Sequence, residues 1–502
     1  MTKISLSIVK RFASILTFAI PFLVNYDLIL DYFYRCQAPF LDTGLISGIM
    51  WRNTWALYTP EVSGSSSFIQ THTTFIYWIS SAISSVLPLN SVQNFGLFLG
   101  LAYAIQAIVI YYFLLWQQPT WRTHWGYVGA SGIGVLFAFN GITQAMMGYP
   151  HTEIAGSVLL IAFLCCWASR RYYWAIAPFV LCLMVREDLG FHIFGILGLV
   201  LFSQLLNRQF WQDALGRWTC RFAIIAFLYS CGALILQDLL FQNGDDALSR
   251  QYLGYPPFAH ISATLLKERL SFYLSTKQYL YLPALSTFFM ALYPLPRMGL
   301  TIGFIAYVPW FLLHLLAVSE QPGLLKGYYA FPYVVSLAWP LIWPWIQHQP
   351  PSLKSKHLAV RVFIVGLVLS VFGGWISPTA GTVDLSAISY KADVRAFNAL
   401  ERAINTSSDL KPLYVDESVA TLFPKNFQPR ERLESYVLEQ DRVGTVLYCE
   451  PSLESKSLEK LLRSQSFEAQ YQVRNTPLKM QTNVSFKDLH PRWQAILDPI
   501  DQ

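Results

Sequence analysis

The chain has 502 residues, of which 54% are hydrophobic and only 13% are charged, and its mean hydropathy is +0.37. Charged residues make up about 25% of ordinary soluble domains, so this composition excludes a soluble globular protein and indicates an integral membrane protein. The net charge of +6 is modest and spread along the chain, which argues against a nucleic-acid partner. We therefore expect the lipid bilayer to be the first partner of this protein.

The first apolar stretch follows Lys3, Lys10 and Arg11, and no small-residue cleavage site comes after it. We interpret this stretch as a retained helix and not as a signal peptide. A membrane-spanning helix needs about 20 mostly apolar residues. On this basis the sequence predicts eleven spans, near residues 12–31, 93–116, 126–146, 153–168, 173–185, 189–206, 222–241, 279–295, 299–318, 328–346 and 359–377.

The positive charges orient this predicted bundle. With the amino terminus in the cytoplasm, the cytoplasmic connections carry only one acid, Asp213, against the basic residues Arg122, Arg170, Arg171, Arg208, Arg217, Arg221, Arg297, Lys354, Lys356 and Arg361. The stretch 173–206 would run about 50 Å as one helix, so it must break, and Arg186 to Asp188 is the natural outward-facing break. Counting the Ser-rich segment 72–87 as a span would invert every later loop. We interpret it as a re-entrant or interfacial helix.

The composition becomes soluble from Thr379 onwards. Apolar residues at helical spacing predict a helix over Lys391 to Asn405, and strands are predicted at 413–415, 443–449 and 469–473. The expected fold class is an all-α polytopic membrane protein of about eleven helices with a small C-terminal α/β soluble domain. The expected domains are residues 1–378, with an outer loop at 32–92, and an extracytoplasmic domain at 379–502. Cys36 and Cys449 are a candidate disulfide pair.

Asp42 is the first candidate for chemistry. It lies between Pro39 and Gly44, in the outer loop, ahead of an apolar stretch that we expect at the membrane interface. A carboxylate held there can be partly desolvated, which raises its pKa towards the range of a general base. The alternative is a helix N-cap, for which Asp is a preferred residue.

Two histidines and a glutamate come next. His72 opens the interfacial segment, and His151 and Glu153 lie in a short outer loop. Imidazole and carboxylate at one membrane depth can bind a divalent metal or a phosphate, although their spacing matches no known metal motif. An ordinary hydrogen-bonded loop is the alternative.

Further charges occupy two other outer connections. Arg186, Glu187 and Asp188 lie between two spans, and His192 follows Asp188 by one helical turn. A guanidinium suits a lipid phosphate, but a charged hairpin that returns the chain explains the three residues equally well. Lys326 and Tyr328 precede the tenth span, where they act either as membrane anchors or as headgroup contacts.

Taken together, these motifs resemble the predicted membrane protein family called domain of unknown function 2079. The resemblance covers about residues 30–450 and is carried by Leu41-Asp42-Thr43-Gly44-Leu45 with Trp51 and Asn53, His72, Tyr149-Pro150-His151-Thr152-Glu153, Arg186-Glu187-Asp188 and Gly327-Tyr328-Tyr329-Ala330-Phe331-Pro332. That family looks related to the C-type glycosyltransferases, polytopic enzymes that use a sugar carried on polyprenyl phosphate at the non-cytoplasmic face. The resemblance implies a bacterial plasma (inner) membrane and gives Asp42 the role of the acidic residue at the reaction centre.

The leading hypothesis is therefore a glycosyltransferase-like enzyme with a polyprenyl-phosphate-linked sugar donor and an acceptor that the sequence does not identify. Asp42 would deprotonate the acceptor, while Arg186, Arg52 or Lys326 would stabilise the leaving phosphate. His72, His151, Glu153 and Asp188 would shape the site or hold a metal, and Glu187 and Tyr328 are further candidates for binding the substrate. The alternatives are a transporter or flippase of a lipid-linked or small polar solute, and a non-catalytic membrane assembly factor. Transport ranks lower because the charges gather at one face and no repeat is visible.

Overall fold

The computed structural model describes residues 5–35, 40–51, 72–87, 89–240, 249–292, 298–346, 353–377, 394–406, 410, 413–415, 445–449 and 467–500. The chain forms two compact units. The first unit comprises residues 1–25, 69–76 and 99–383, and the second comprises 26–68, 77–98 and 384–502. The division into domains at residues 378 and 379 stays a prediction.

Five helical segments in the described part of the chain are long and apolar enough to cross a membrane. They are α1 (Leu6–Tyr34), α4 (Ser91–Gln117), α11 (Ala214–Leu240), the segment Met298–Leu315 and α18 (Leu353–Ile376). A sixth candidate is the pair α5 (His124–Ala138) and α6 (Gly141–Met147), which meet at an angle of 47°. Asn140 causes this bend, because its side chain caps α6 by accepting hydrogen bonds from the backbone of Ile142 and Thr143. The chain is thus a mostly helical, multi-pass membrane protein.

Shorter apolar helices account for other predicted spans. They are α7 (Glu153–Ala168), α8 (Tyr172–Val185) and α9 (Leu189–Ser203). A further short apolar helix, α3 (Ile76–Val86), lies in the segment 72–87, which we interpret as re-entrant or interfacial and not as a span. The 16 residues of α7 rise about 24 Å, which is less than the hydrocarbon core of about 30 Å. The eleven spans are therefore shown only in part, because an apolar stretch of sequence does not reveal where its helix stops. The break predicted between α8 and α9 is present.

The remaining helices of the described chain are short or polar. They are α2 (Phe40–Trp51), α10 (Arg208–Gln212), α12 (Ala263–Thr276), α13 (Gln278–Leu292), α14 (Ile302–Ile305), α15 (Val308–Leu315), α16 (Glu320–Gly323), α17 (Pro332–Ile342), α19 (Val394–Thr406) and α20 (Pro491–Gln494). One turn of π-helix spans Ser249–Leu253, and a 3₁₀ turn spans Gly327–Ala330.

Within the first unit, α9 packs closely on α11. A β-carbon at Gly190 would collide with the Ala226 carbonyl oxygen and the Ser230 hydroxyl, so only glycine permits this approach. The Ser230 hydroxyl donates a hydrogen bond to the carbonyl of Glu187, the middle one of the three residues between α8 and α9. In α7, the Ser157 hydroxyl donates a 2.8 Å hydrogen bond to the carbonyl of Phe331, the residue before α17. These contacts anchor the ends of α7, α8, α9 and α17 at one place.

The second unit contains a five-stranded sheet of order β1-β2-β4-β3-β5, in which β1 and β2 are parallel and the other neighbours antiparallel. The strands are β1 (Leu413–Val415), β2 (Thr445–Cys449), β3 (Ala469–Val473), β4 (Leu478–Thr482) and β5 (Leu497–Pro499). The predicted helix over 391–405 is found as α19, and its Phe397 ring lies 4.7 Å from the ring of Tyr34. The predictions therefore identified the helix and three strands of this region but missed β4 and β5.

Candidate functional site

Three carboxylates surround one arginine in the first unit. The Nη1 atom of Arg186 lies 2.9 Å from Oε1 of Glu153. Its Nε atom lies 3.3 Å from Oδ1 of Asp188 and 3.9 Å from Oε1 of Glu187. The arginine at the end of α8 thereby joins the start of α7 to the start of α9.

Each glutamate also has a histidine partner. The His72 Nδ1 atom lies 2.9 Å from Oε1 of Glu187, whose Oε2 atom accepts a 2.8 Å hydrogen bond from the backbone N–H of Thr73. His151 contacts the carboxylate of Glu153 through its Nδ1 atom. We call these six side chains the charge cluster: His72, His151, Glu153, Arg186, Glu187 and Asp188.

The local backbone explains how adjacent charged residues converge. Arg186 has an extended conformation (φ −165°, ψ 149°) where α8 ends. The chain then turns at Glu187 and Asp188, and this turn brings the Asp188 carboxylate to 3.3 Å from the Arg186 guanidinium before α9 begins. Glu153 is the first residue of α7, where a carboxylate also interacts favourably with the helix dipole.

Aromatic rings form one wall of the charge cluster. The Tyr328 ring stacks on the His151 imidazole with centroids 4.0 Å apart and an interplanar angle of 15°. Tyr329 stacks on Tyr328 at 4.4 Å, and the Tyr149 ring lies 5.7 Å from Tyr328. Gly327 makes the turn into this wall with a φ of +60°, and a β-carbon there would lie 2.9 Å from the Tyr149 ring. We call Tyr149, Tyr328 and Tyr329 the aromatic wall.

Glu187 and Asp188, the two adjacent carboxyl groups between α8 and α9, have different proton affinities. Burial raises the pKa of Asp188 to about 6, and the negative charge of Glu187 adds to this effect against the opposing charge of Arg186. Burial also disfavours the charged form of Glu187, but His72 and Arg186 outweigh it and lower the pKa of Glu187 to about 2. Neighbouring carboxyl groups separated in this way are typical of acid–base sites. Asp188 is the carboxyl group of this pair that can exchange a proton near neutral pH.

A second group of rings lies beside the charge cluster. His192 packs against Tyr307, Trp310 and Phe331, with 4.7 Å between its ring centroid and that of Trp310. Its Nε2 atom is buried without a hydrogen-bond partner among the residues that the structure describes. The imidazole of His314 lies 4.2 Å from the Trp310 ring, with Nε2 3.5 Å from the Tyr252 hydroxyl.

Sequence reasoning noted His192 but missed His314, Trp310 and Tyr252. His314 lies in an apolar segment that was predicted as a span. An ionisable residue inside such a segment marks a functional site by default, and this signal was available in the sequence.

The other predicted site residues have different surroundings. Lys326 pairs with Glu320 at 2.7 Å on an exposed part of the first unit. Asp42 lies in the second unit, as the third residue of α2 and thus within the first helical turn and not at the N-cap. Arg52 lies outside the described residues. The structure therefore brings seven predicted residues together, His72, His151, Glu153, Arg186, Glu187, Asp188 and Tyr328, and leaves Lys326 apart from them.

The charge cluster does not fit a divalent metal as it stands. Within the described ranges, no three His, Cys, Asp or Glu side chains are arranged to hold a metal ion. The Nδ1 atoms of His72 and His151 are each directed at a glutamate, and Arg186 occupies the space that a cation would need between the carboxylates. The arrangement is that of a hydrogen-bonded ionic network.

No family model and no curated protein sequence matches this chain. The resemblance to the domain of unknown function 2079 therefore stays a prediction. Among solved structures, ArnT from Cupriavidus metallidurans in the apo state is similar with a TM-score of 0.50 and 12% identity, covering 91% of this chain and 96% of that chain. ArnT from the same organism bound to undecaprenyl phosphate has a TM-score of 0.49 and 12% identity, covering 95% and 98%. The comparison shows a likeness of fold: this chain has a multi-pass fold similar to that of ArnT, a C-type glycosyltransferase.

Proposed function

We propose that this protein is a membrane glycosyltransferase that transfers a sugar from a polyprenyl-phosphate donor at the non-cytoplasmic face. The observation that carries the proposal is the charge cluster with its aromatic wall, built into an ArnT-like fold. Carboxylates accept hydrogen bonds from hydroxyl groups, and aromatic faces pack against apolar groups. A sugar ring presents both kinds of surface.

The charge balance of the cluster supports a hydroxyl-rich ligand. Arg186 faces Glu153, Glu187 and Asp188, so its positive charge is already compensated. For Arg186 to bind the leaving phosphate, one of these carboxylates would have to move or accept a proton. We assign Arg186 to holding the carboxylates in place and leave the phosphate to Arg52 or Lys326.

The proposed reaction is an inverting transfer with Asp42 as the general base. Asp42 takes the proton of the acceptor hydroxyl, and the acceptor oxygen forms a bond to the anomeric carbon of the sugar. The bond between that carbon and the phosphate oxygen breaks, and its electron pair leaves with polyprenyl phosphate. A base is useful here because the hydroxyl is a weak nucleophile until it loses its proton.

The proposed location is a bacterial inner membrane, with the amino terminus in the cytoplasm and the C-terminal domain outside it. Cys449 of this domain is disulfide-bonded, and disulfides persist in oxidising compartments and are rare in the cytosol. The predicted partner, Cys36, lies outside the described residues.

The test is radiolabel transfer from a panel of polyprenyl-phosphate sugars into lipid and protein fractions, with purified protein in lipid. We expect transfer by the wild type, and loss of transfer in Asp42→Asn at unchanged membrane abundance. Glu268→Gln is the matched control, because Glu268 is an exposed acid on α12. Transfer by Asp42→Asn at the wild-type rate would refute the base assignment. Tight donor binding without transfer by any of the three proteins would instead favour a carrier or assembly factor.

A further inference from the structure

One face of α12 clamps the segment that leads to the aromatic wall. Arg269, Tyr273 and Lys277 are spaced four residues apart, so they lie in a row along the helix and its C-cap. Arg269 donates a 2.6 Å hydrogen bond to the Leu315 carbonyl, and Tyr273 donates one of 2.6 Å to the Gly323 carbonyl. Lys277 donates a 3.0 Å hydrogen bond to the Leu325 carbonyl.

The segment that these hydrogen bonds hold contains two residues with left-handed backbone, Leu325 and Gly327. Leu325 has a φ of +46°, a left-handed conformation that side-chain-bearing residues rarely adopt, and Gly327 follows at +60°. Such a conformation costs on the order of 1–3 kcal/mol and persists only when the surroundings enforce it. Lys277 holds this turn at its first left-handed residue, two positions before Gly327.

The two cationic residues of this row, Arg269 and Lys277, are buried and donate hydrogen bonds to backbone carbonyls. The side chains of Arg269 and Lys277 are buried, and neither forms an ion pair with a carboxylate in the part of the chain that the structure describes. The Lys277 Nζ atom lies 5.6 Å from the ring centroid of Phe272 and 5.7 Å from that of Tyr279. A buried ammonium is costly unless it is compensated, and a carbonyl acceptor together with aromatic faces supplies part of that compensation. The main interaction of Lys277 is therefore its hydrogen bond to the Leu325 carbonyl.

The segment reaches the charge cluster within a few residues. Leu325 is followed by Lys326 and Gly327, and then by Tyr328, whose ring stacks on His151. His151 in turn contacts Glu153, which binds Arg186. A displacement of Leu325 therefore moves the aromatic wall relative to the carboxylates.

We infer that Lys277 is a positioning residue that holds the Leu325–Gly327 turn and thereby seats Tyr328 on His151. It acts through the backbone and contacts none of the six residues of the charge cluster in a described hydrogen bond or ion pair. The inference rests on the proposed function where it concerns sugar transfer, whereas its structural part is independent of that function.

The experiment compares Lys277→Met, Lys277→Arg and the control Lys267→Met in the full chain in lipid nanodiscs. Lys267 is an exposed lysine on the same helix. Hydrogen–deuterium exchange is measured for peptides covering residues 323–331 and, separately, α7 and α9. We expect exchange in 323–331 to accelerate about tenfold in Lys277→Met, because a hydrogen bond to a charged group is lost, while α7 and α9 stay protected. Lys277→Arg, which can still donate to the carbonyl, and Lys267→Met should stay within about twofold of the wild type.

Unchanged exchange over 323–331 in Lys277→Met would overturn the inference, and so would equal acceleration throughout the chain. If Lys277→Met does not fold, Tyr273→Phe replaces it, since this variant removes only the bond to Gly323 and should loosen the same peptides. Where transfer is measurable, we expect Lys277→Met to raise KM for the donor more than it lowers kcat. An absence of transfer by the wild type would count against the proposed function and leave the exchange result to decide the positioning role.

Discussion

The guanidinium of Arg186 and the carboxylate of Glu153 form a 2.9 Å ion pair that connects the end of α8 to the start of α7. Glu153 is only 2% exposed. Removing one partner of a buried ion pair leaves a charge without compensation, which costs about 3–5 kcal/mol.

We therefore expect Arg186→Met to lower the free energy of unfolding by about that amount, measured by thermal or denaturant unfolding in detergent. Arg171→Met is the control, because Arg171 is exposed at the other end of α8. The double variant Arg186→Met/Glu153→Gln should recover part of the loss. Equal stability of Arg186→Met and the control would contradict the buried pair.

The raised pKa of Asp188 predicts a pH dependence of stability. The folded state binds the proton of Asp188 up to about pH 6, whereas the unfolded state releases it near the ordinary value of 3.8. This group therefore stabilises the fold below about pH 4 and loses that contribution as the pH rises to 6. Burial is the largest cause of the raised pKa; of the charged groups that face Asp188, Glu187 and Glu153 add to the shift, and Arg186 and His72 oppose it.

In the wild type, we expect the ionisation of Asp188 to lower the melting temperature as the pH rises from 4 to 6. Asp188→Asn cannot ionise, so its melting temperature should fall less over this range. The lowered pKa of Glu187 acts in the opposite sense, because its contribution is present above about pH 4 and is lost as the pH falls towards 2. Melting curves of wild type, Asp188→Asn and Glu268→Gln across this range provide the check. An Asp188→Asn profile parallel to the wild type would show that Asp188 ionises normally.

Gly327 is expected to tolerate no side chain. Its φ is +60°, and a new β-carbon would press on the Tyr149 ring at 2.9 Å. Gly327→Ala should destabilise the protein by about 1–3 kcal/mol. Gly148→Ala is a matched control, because Gly148 has right-handed helical backbone and its nearest neighbour to a new β-carbon lies 3.7 Å away. Comparable melting temperatures for the two variants would count against the left-handed turn.

The stack of Tyr328 on His151 predicts a role for the ring and not for the hydroxyl. Tyr328→Phe keeps the ring and should retain donor binding within about threefold, whereas Tyr328→Ala should weaken it by about tenfold, since an aromatic pair contributes about 0.5–1.5 kcal/mol beyond its buried area. Titration of polyprenyl-phosphate sugars against protein in nanodiscs measures this difference. The opposite order, with Phe weaker than Ala, would assign the effect to the hydroxyl.

The disulfide at Cys449 predicts thiol protection on the outer face. In spheroplasts we expect a membrane-impermeant maleimide to label Cys449 only after reduction. Labelling should occur without reduction in Cys36→Ser if Cys36 is the partner. Reaction of Cys449 in untreated wild-type spheroplasts would contradict the disulfide.

Much of the secondary structure could be predicted from patterns within the sequence. Apolar runs located α4 and α7, and charged residues located the break before α9. The alternation of Leu478 and Met480 with Lys479 and Gln481 in β4 is a strand signal of the same kind. Hydropathy failed where a helix breaks inside an apolar run, as at Asn140, because a capping hydrogen bond leaves no trace in hydropathy.

The sequence by itself determined that this protein is a multi-pass membrane protein with its acidic residues gathered in a few connections, because hydrophobicity and charge act residue by residue. It also identified all six residues of the charge cluster as candidates. Only the tertiary structure decided that Arg186 faces Glu153 and Asp188, that Tyr328 covers His151, and that Lys277 supports the turn before Tyr328. Ion pairing, stacking and burial depend on distances of a few ångströms between residues far apart in the chain, and those distances exist only once the helices have packed.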